Sequence, residues 1–466
     1  MDKIKMPLFD DIDRATRYVL KQNAEKEYTE ERMEDSVLSK IVQNVFEKFC
    51  RHDFDFSKLE TLVLSQNGKK RLIKSYEEKQ FVEQILCYCV KRILDRVSKV
   101  RYPNRNKICR SIFNILPAVV KMQDFVIARF DFKDFFNSVN SRYVFEEYIK
   151  KRLTDRQELE LIENYVTQTN FAYAGLRPSN AIAEIAAREF DQKLKLRMDD
   201  KGLIFYERYI DDGLMILNQF VSEEELKRTL NSVISEVFGN TKNNVRNHVK
   251  LNQSKFNYVS ARDDFSQKDV AFLGYKFIFQ KATSQKIQVC YGISDEKKEK
   301  YSKKIKKFIR AYQSSKIPDE KNNSVLLRHR ILNFARRQVY LAKHYNGLIW
   351  KVKGFISNYG ELRYLLDDRQ HIEQSTIKFL ENAIIDAFND CGCKVPPYLK
   401  GNKKYQLLES MKRNRTMLFV EEIGHSRTGL VKLCKEIGIE ASCKGGELKS
   451  YDRLVKEYLV KVKVGF

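Results

Sequence analysis

The chain has 466 residues, of which 43% are hydrophobic and 32% are charged. This is the composition of an ordinary globular protein, and only seven prolines and 18 glycines exclude a collagen-like or linker-like chain. Lysine and arginine total 86 against 62 aspartates and glutamates, which gives a formal net charge of +24. A charge of this size on a chain that can build a core predicts a polyanionic partner, nucleic acid first and an anionic membrane surface second.

The cysteines and the first residues predict the compartment. Nine cysteines are an odd number, so they cannot all form disulfides within the chain. Residues 1–13 are rich in aspartate and lack a signal-peptide pattern, and no apolar run approaches the ~18 residues that span a bilayer. We therefore expect a cytoplasmic protein without a membrane partner. Four cysteines cluster late in the chain but lack the paired spacing of zinc sites, namely Cys391, Cys393, Cys434 and Cys443.

The first half of the chain predicts helices followed by strands. Helical periodicity runs through the first ~60 residues, then from 74 to 100, and again after Tyr102-Pro103-Asn104. Aromatic and branched residues typical of strands follow at residues 125–132, 205–217 and 269–289.

Beyond residue 294 the pattern returns to helix. The segment 391–404, with Pro396-Pro397 and Gly401, is the best boundary, and a small basic helical module follows it. One predicted helix carries eight basic residues, which form either a solvated face or a grip for a phosphate backbone: Lys297, Lys298, Lys300, Lys303, Lys304, Lys306, Lys307 and Arg310. The order predicts an α+β chain with domains at 1–60, 61–290, 291–395 and 396–466.

Adjacent aspartates occur five times, but only Asp211-Asp212 is flanked on both sides by strand-like runs. This pattern predicts a β-hairpin in which Asp211-Asp212-Gly213 makes the turn. Two carboxylates at a rigid hairpin tip also offer the hard oxygen ligands that Mg²⁺ prefers.

Asp131 lies in a very apolar predicted strand, where an unpaired carboxylate is rarely buried. It requires a cation, which is either Arg129 or Lys133 in a salt bridge, or a metal. Two-metal phosphoryl transfer uses carboxylates from neighbouring strands that bridge ions about 4 Å apart. Asp131 with Asp211 and Asp212 would supply that site for two Mg²⁺ ions, with Mn²⁺ as a substitute.

Five motifs in this order resemble the palm motifs of reverse transcriptases. Tyr209-Ile210-Asp211-Asp212 resembles their Tyr-x-Asp-Asp motif, and Asp131-x4-Phe136 resembles their first palm motif. The segment 175–184 is similar to the second palm motif, in which a glycine and a serine precede a helix. The two motifs that close the palm also have counterparts, which resemble them in order and spacing: Leu251-Asn252 with Lys255, and then residues 272–275. The resemblance covers residues 75–290 and implies polymerase fingers and a palm followed by an all-helical C-terminal region.

Two departures point to a subgroup. Ala174 stands where most reverse transcriptases have glutamine before the motif glycine. The segment 179–184 and the helical region beyond 294 resemble the bacterial abortive-infection and other defence-associated reverse transcriptases. This resemblance implies a DNA polymerase in antiphage defence that uses deoxynucleoside triphosphates and DNA or RNA. Members of the subgroup work without a template, prime on the protein itself or use a dedicated noncoding RNA, and they often form symmetric homo-oligomers.

The resemblance also implies roles for single residues. Asp131 and Asp211 are the principal metal ligands, with Asp212 assisting and Phe132 at the metal and nucleotide site. Lys255 offsets the charge of the departing pyrophosphate, or is simply a solvated surface lysine. Phe136 collides with a ribose 2′-hydroxyl, or is a core aromatic.

Four further residues are candidates for nucleotide binding. Gly175 and Ser179 shape the pocket through close backbone approach and a hydroxyl cap. Arg105 and Arg110 precede the first palm strand, where the fingers of the family hold the triphosphate, although arginines on a helix surface are common.

Three alternatives stay open. An intron- or retron-type RNA-templated reverse transcriptase fits poorly with Ala174 and with the helical C-terminal half. A nucleic-acid-binding scaffold that keeps the palm fold without chemistry has no reason to retain buried, unpaired acids. A two-metal nuclease would not need Phe136 or the pocket around Gly175.

Overall fold

The computed structural model describes residues 7–27, 35–66, 69–77, 79–239, 248–264, 268–281, 286–314, 320–335, 338–344, 347–353, 355–367, 369–413, 426–443 and 446–462. The chain is α+β, with antiparallel sheets and many helices. It divides into two compact units, one formed by Met1–Ile108 with Met122–Asp263 and the other by Cys109–Lys121 with Asp264–Phe466. No described helix is both long enough and apolar enough to cross a membrane.

The first unit contains most of the helices that precede and surround the central sheet. They are α1 (Pro7–Glu27), α2 (Asp35–Cys50), α3 (Phe81–Val97), the start of α4 (Arg105–Val119), α5 (Phe135–Ser138), α6 (Ser141–Val144), α7 (Arg156–Thr169), α8 (Ser179–Asp199) and α9 (Glu223–Val237). Its strands are β1 (Glu60–Gln66), β2 (Lys69–Ser75), β3 (Val126–Lys133), β4 (Leu203–Tyr209), β5 (Asp212–Leu217), β6 (Lys250–Leu251) and β7 (Asn257–Ser260).

The central sheet has the order β4-β5-β3-β6, and β7 also pairs with β3. Six of the eight residues of β3 are buried, so this strand is covered on both faces. Phe130 and Phe132 pack against Phe190 of α8, with ring centroids 5.9 and 5.2 Å apart. This aromatic contact joins α8 to β3, the strand that carries Asp131.

The second unit contains a three-stranded antiparallel sheet, a β-hairpin and several helices. They are β8 (Lys268–Phe272), β9 (Tyr275–Lys281), β10 (Ile287–Ile293), α10 (Asp295–Gln313), α11 (Glu320–Ala335), β11 (Gln338–His344), β12 (Gly347–Lys353), α12 (Gln374–Asp390), α13 (Leu407–Arg413), α14 (Arg427–Glu436) and α15 (Tyr451–Val462). The sheet order is β10-β9-β8, and α10 buries an apolar stripe that includes Tyr301, Ile305 and Phe308.

The strands predicted at 125–132, 205–217 and 269–289 are confirmed, as are the helices around 105 and 297. The prediction of an all-helical C-terminal region is wrong, because β11 and β12 form an antiparallel hairpin. The sequence carries a signal for it, since Asn346-Gly347 separates two runs with branched and aromatic residues. The β1–β2 hairpin was also not predicted. The four domain ranges stay predictions, although β10 runs through residue 290.

All nine cysteines are free thiols, and five of them are buried. Burial raises the pKa of the Cys87 and Cys89 thiols in α3, which keeps them protonated and unreactive.

Candidate active site

The pairing of β3 with β5 brings the three predicted aspartates to one end of the central sheet. Asp131 lies directly opposite Asp212 in the antiparallel register. The Phe132 amide donates a hydrogen bond to the Asp211 carbonyl over 3.0 Å, so Asp211 lies beside the same strand. Opposite residues of an antiparallel pair have Cβ atoms about 5 Å apart, which is close enough for their side chains to share an ion.

The hairpin turn carries Asp211 in a strained backbone. Because β4 ends at Tyr209 and β5 begins at Asp212, the turn consists of Ile210 and Asp211 alone. Ile210 has a φ of +61°, a left-handed conformation that is rare for a branched residue. The hairpin is confirmed, but the predicted turn at Asp211-Asp212-Gly213 is wrong, because the turn is Ile210-Asp211 and Asp212 already belongs to β5. Gly213 instead lies inside β5.

Asp131 is buried and has two polar partners. Asp131 is 3% exposed, and its carboxylate accepts hydrogen bonds from Asn252 Nδ2 over 2.9 Å and from Lys255 Nζ over 2.7 Å. The cation beside Asp131 is therefore Lys255, and the predicted partners Arg129 and Lys133 do not take this place. The interpretation of Lys255 as a merely solvated surface lysine is also wrong, and its role toward pyrophosphate stays a prediction.

Asp212 is held by Arg129 in a two-pronged ion pair. Arg129 Nε donates to Oδ1 over 2.7 Å and Nη2 donates to Oδ2 over 3.1 Å. Burial raises the pKa of Asp212 to about 6, and the like charges of Asp131 and Asp211 add to this effect against the opposing guanidinium. Asp131 and Asp212 are thus paired. They are not the buried, unpaired acids that would speak against a nucleic-acid-binding scaffold.

The three carboxylates offer the hard oxygen donors that a divalent cation prefers, although their side chains are not arranged around a common point in this structure. Among the described residues, no three Asp, Glu, His or Cys side chains are arranged to hold a metal ion as they stand. Lys255 and Arg129 pair with two of the three carboxylates, so an ion bound at Asp131 would share that carboxylate with the Lys255 ammonium. Hard carboxylate oxygens fit Mg²⁺ or Mn²⁺ in donor chemistry.

The Phe132 side chain lies inside the aromatic core. Its side chain is 1% exposed and packs among aromatic rings, with Phe238 at 5.8 Å. The place of Phe132 at the metal and nucleotide site therefore stays a prediction.

A pocket lies beside the turn. Tyr209 and Ile210 line it from the turn side, Phe136 from the segment after β3, and Glu184 from α8. The Phe136 ring is partly exposed and faces this space, so it is not only a core aromatic. Its predicted contact with a sugar stays a prediction.

Gly175 makes a close backbone approach, and its neighbour is Lys74 of β2. Gly175 has a φ of +104°, and a Cβ there would lie 2.4 Å from the Lys74 carbonyl oxygen. The Lys74 amide donates to the Ala174 carbonyl over 2.8 Å. Lys74 is thus a basic residue beside the segment 175–184 that sequence reasoning missed, because only the fold of β2 brings it there.

Ser179 does not cap its helix. Its hydroxyl donates to the Tyr173 carbonyl over 2.6 Å, and no side chain caps the first turn of α8. The predicted hydroxyl cap is therefore wrong. The pocket is lined instead by Asn180 and Ala183, which follow on the same helix.

The two predicted triphosphate arginines receive no geometric support. Arg105 begins α4, and of the described residues in this segment Tyr102 and Pro103 line the pocket. Arg110 is exposed and belongs to the second compact unit. Both roles stay predictions.

The basic face of α10 divides into two kinds of residue. Lys298 pairs with Asp295 and Glu373, and Lys306 pairs with Asp390. Four exposed residues at helical spacing form what we call the α10 stripe, which consists of Lys300, Lys303, Lys307 and Arg310. Within it, Lys303 also pairs with the exposed Glu299. Only some of the predicted basic residues of α10 therefore have described ion pairs within the protein.

Comparison with known proteins finds distant similarity in structure alone. No family model matches the chain, and no curated protein matches it. It is similar to apo telomerase from Candida tropicalis truncated from its C-terminal domain, with 12% identity, a TM-score of 0.35, and 54% of this chain and 60% of that one covered. It is also similar to telomerase from Candida tropicalis in complex with a TWJ fragment of telomeric RNA, with 10% identity, a TM-score of 0.36, and 92% of this chain and 68% of that one covered. The chain thus spans less than two thirds of the first of these telomerase chains.

Proposed function

We propose that this chain is a divalent-metal-dependent nucleotidyltransferase of the reverse-transcriptase class, which adds deoxynucleotides to a primer hydroxyl. One observation carries the proposal. Two paired strands bring Asp131, Asp211 and Asp212 to the same end of a sheet, beside a pocket lined by Phe136 and Tyr209. A scaffold would need neither the strained turn that presents Asp211 nor the pocket next to it.

The residues divide the chemistry among themselves. Mg²⁺ ions, when bound, would lower the pKa of the attacking hydroxyl and offset the charge of the leaving pyrophosphate. Asp131 and Asp211 would hold them, while Arg129 keeps Asp212 in place through its two-pronged ion pair. Lys255 lies at Asp131, so its ammonium would lie beside a metal-bound phosphate there and would offset the charge of the departing pyrophosphate.

The decisive assay offers each labelled deoxynucleotide with Mg²⁺ to protein stripped of nucleic acid, with and without a primed RNA template. Product without a template supports the untemplated mode, and label that stays on the protein supports protein priming. Product that forms only when the template is present supports an RNA-templated enzyme of the intron or retron type. No product under either condition, with nucleic acid recovered in the stripping step returned to the reaction, would contradict the proposal.

A role in bacterial antiphage defence is a finer proposal that rests on the motif resemblance. Cells that express the chain should reduce the plating efficiency of phages, and cells that express Asp211→Asn should not. Equal plating on both strains across a diverse phage panel would remove the defence role and leave the enzymatic proposal standing.

Phe136→Ala is expected to reduce discrimination against ribonucleotides by roughly 10- to 100-fold, because the phenyl ring would no longer meet the 2′-hydroxyl. The measurement is the ratio of kcat/KM values for a deoxynucleotide and its ribonucleotide. Phe136→Tyr keeps the ring and should preserve the ratio. An unchanged ratio in the alanine variant would remove the sugar-sensing role of Phe136.

Replacement of all four residues of the α10 stripe by glutamine is expected to weaken nucleic-acid binding and flatten its salt dependence. Each lost phosphate contact lowers the slope of log K against log salt by about 0.9 for a duplex, so the slope should fall by roughly 3 to 4. Lys306→Gln and Lys307→Gln are matched single variants, since Lys306 already pairs with Asp390. Of these two single variants, only Lys307→Gln should change the slope. Equal slopes for wild type and the fourfold variant would show that the α10 stripe is a solvated face that does not contact phosphates.

A further inference from the structure

We infer that Arg208 is a positioning residue that holds the Ile210-Asp211 turn and thereby sets the affinity of the aspartates for a divalent cation. This inference rests on the proposed function. Arg208 lies in β4, three residues before Asp211, and its side chain is 2% exposed. It touches none of the three aspartates of the site through any contact described above, so the proposed chemistry makes no direct use of it.

The guanidinium of Arg208 has five N–H groups, and five hydrogen bonds engage it. Nε and Nη2 donate to the two oxygens of Asp191, each over 2.9 Å. Nη2 and Nη1 donate to the two oxygens of Glu184 over 2.8 and 3.1 Å. Nη1 also donates to the Ile210 carbonyl over 2.7 Å. Four of these bonds reach α8 and the fifth reaches the catalytic turn.

The turn needs such an anchor because its conformation is unfavourable on its own. A branched residue held at a positive φ is strained and persists only when its surroundings fix it. The Ile210 carbonyl belongs to the peptide unit that leads into Asp211, so holding this oxygen limits how Asp211 can rotate. On the opposite side the Asp211 carbonyl accepts from the Phe132 amide of β3. The turn is therefore held between β3 and α8.

α8 is a rigid support for this contact. Ten of its residues are buried, among them Ile182, Ala186 and Phe190, which belong to the hydrophobic core. Asp191 is fixed further by the Tyr206 hydroxyl, which donates to it over 2.6 Å. A displacement of Asp211 relative to Asp131 would thus have to break buried charge-assisted hydrogen bonds, which are about twice as strong as neutral ones.

Lysine cannot replace arginine here. A lysine ammonium has three donors and no planar fork, so it can replace at most three of the five hydrogen bonds and cannot reproduce the paired bonds to both carboxylates. Groups that orient metal ligands typically contribute 10- to 100-fold to metal affinity. Arg208→Lys keeps the buried positive charge while it releases the turn, which makes it the informative substitution.

The test is a Mn²⁺ titration of the full chain, in which the electron paramagnetic resonance signal of free Mn²⁺ reports binding without any turnover. We expect Arg208→Lys to raise the Kd for Mn²⁺ by roughly 10- to 100-fold. Asp11→Asn is the control, because it removes ion pairs of a buried carboxylate, to Arg92 and Arg96 in the same compact unit, that do not involve Arg208 or the Ile210-Asp211 turn. Its melting temperature should fall, and its Kd should stay within about threefold of wild type.

The outcomes separate the inference from the function on which it rests. Wild-type binding that Asp211→Asn does not alter would overturn the proposed function, whereas unchanged affinity in Arg208→Lys would overturn only the role of Arg208. Equal weakening in Arg208→Lys and Asp11→Asn at equal loss of melting temperature would also overturn it, since both would then act through stability. If Arg208→Lys does not fold, Arg208→Met with Asp191→Asn removes one buried cation together with one anion, and the same rise in Kd is expected.

Discussion

Asp211→Asn is expected to lower the rate of nucleotide addition by at least about 10³-fold and to leave the fold intact. Asparagine keeps the shape of the side chain and removes the negative charge that would hold a metal ion. Metal stabilisation of developing charge contributes several kcal/mol, and about 4 kcal/mol corresponds to a factor of about 10³. The measurement is the initial rate of single-nucleotide addition, together with a thermal unfolding curve.

Asp200→Asn is the matched control for this prediction. Asp200 also belongs to an adjacent aspartate pair, but it is exposed at the end of α8 and far along the helix from the residues that line the pocket. Its replacement should change neither the rate nor the melting temperature. Full activity in Asp211→Asn would remove the metal site and, with it, the assignment of the chain to nucleotidyl transfer.

The backbone of this site could be predicted from sequence because its signals are local. An apolar run around Asp131 and a strand-turn-strand pattern around Asp211 each specify an element within about ten residues. Antiparallel pairing of two such strands then brings their polar ends together, as the register of Asp131 opposite Asp212 shows.

The charge partners could not be predicted, because they are distant in sequence. Lys255 meets Asp131 across 124 positions and Arg129 meets Asp212 across 83. Arg129 and Asp131 lie on the same face of β3, so adjacency in sequence favoured the wrong pair. In the register Arg129 is opposite Leu214, which makes Asp212 its diagonal neighbour on that face. Knowledge of the register would have been enough to find this ion pair.

The place of Gly213 in a strand could not be predicted for a related reason. The dipeptide of aspartate and glycine is a strong local turn signal, and it assigned Gly213 to the turn. The structure uses Gly213 inside β5, without a positive φ, because a large ring from the neighbouring strand occupies the space of its side chain. Requirements of this kind arise from packing between strands and leave no periodic pattern in the sequence.

Gly213→Ala is accordingly expected to destabilise the first unit by about 1–3 kcal/mol, the usual cost of overpacking a core. Gly213 lies opposite Phe130 in the register, and a Cβ there would lie 2.3 Å from Phe130 Cζ and 2.6 Å from Cε1. The ring is fully buried and packs against Phe132 and Phe190, so it cannot swing away freely. Denaturant unfolding with linear extrapolation measures the loss.

A double-mutant cycle with Phe130→Leu identifies the cause. If the alanine methyl group and the ring collide, the double variant should be more stable than the sum of the two single losses predicts, by at least about 1 kcal/mol. Gly429→Ala is the control, because a Cβ there would meet only the Ser426 hydroxyl at 3.2 Å and the residue lies in α14, where alanine is favoured. A Gly213→Ala protein as stable as wild type, or a cycle with no coupling, would show that β3 and β5 can separate without cost, and the close placement of Asp131 and Asp212 would then lose its structural basis.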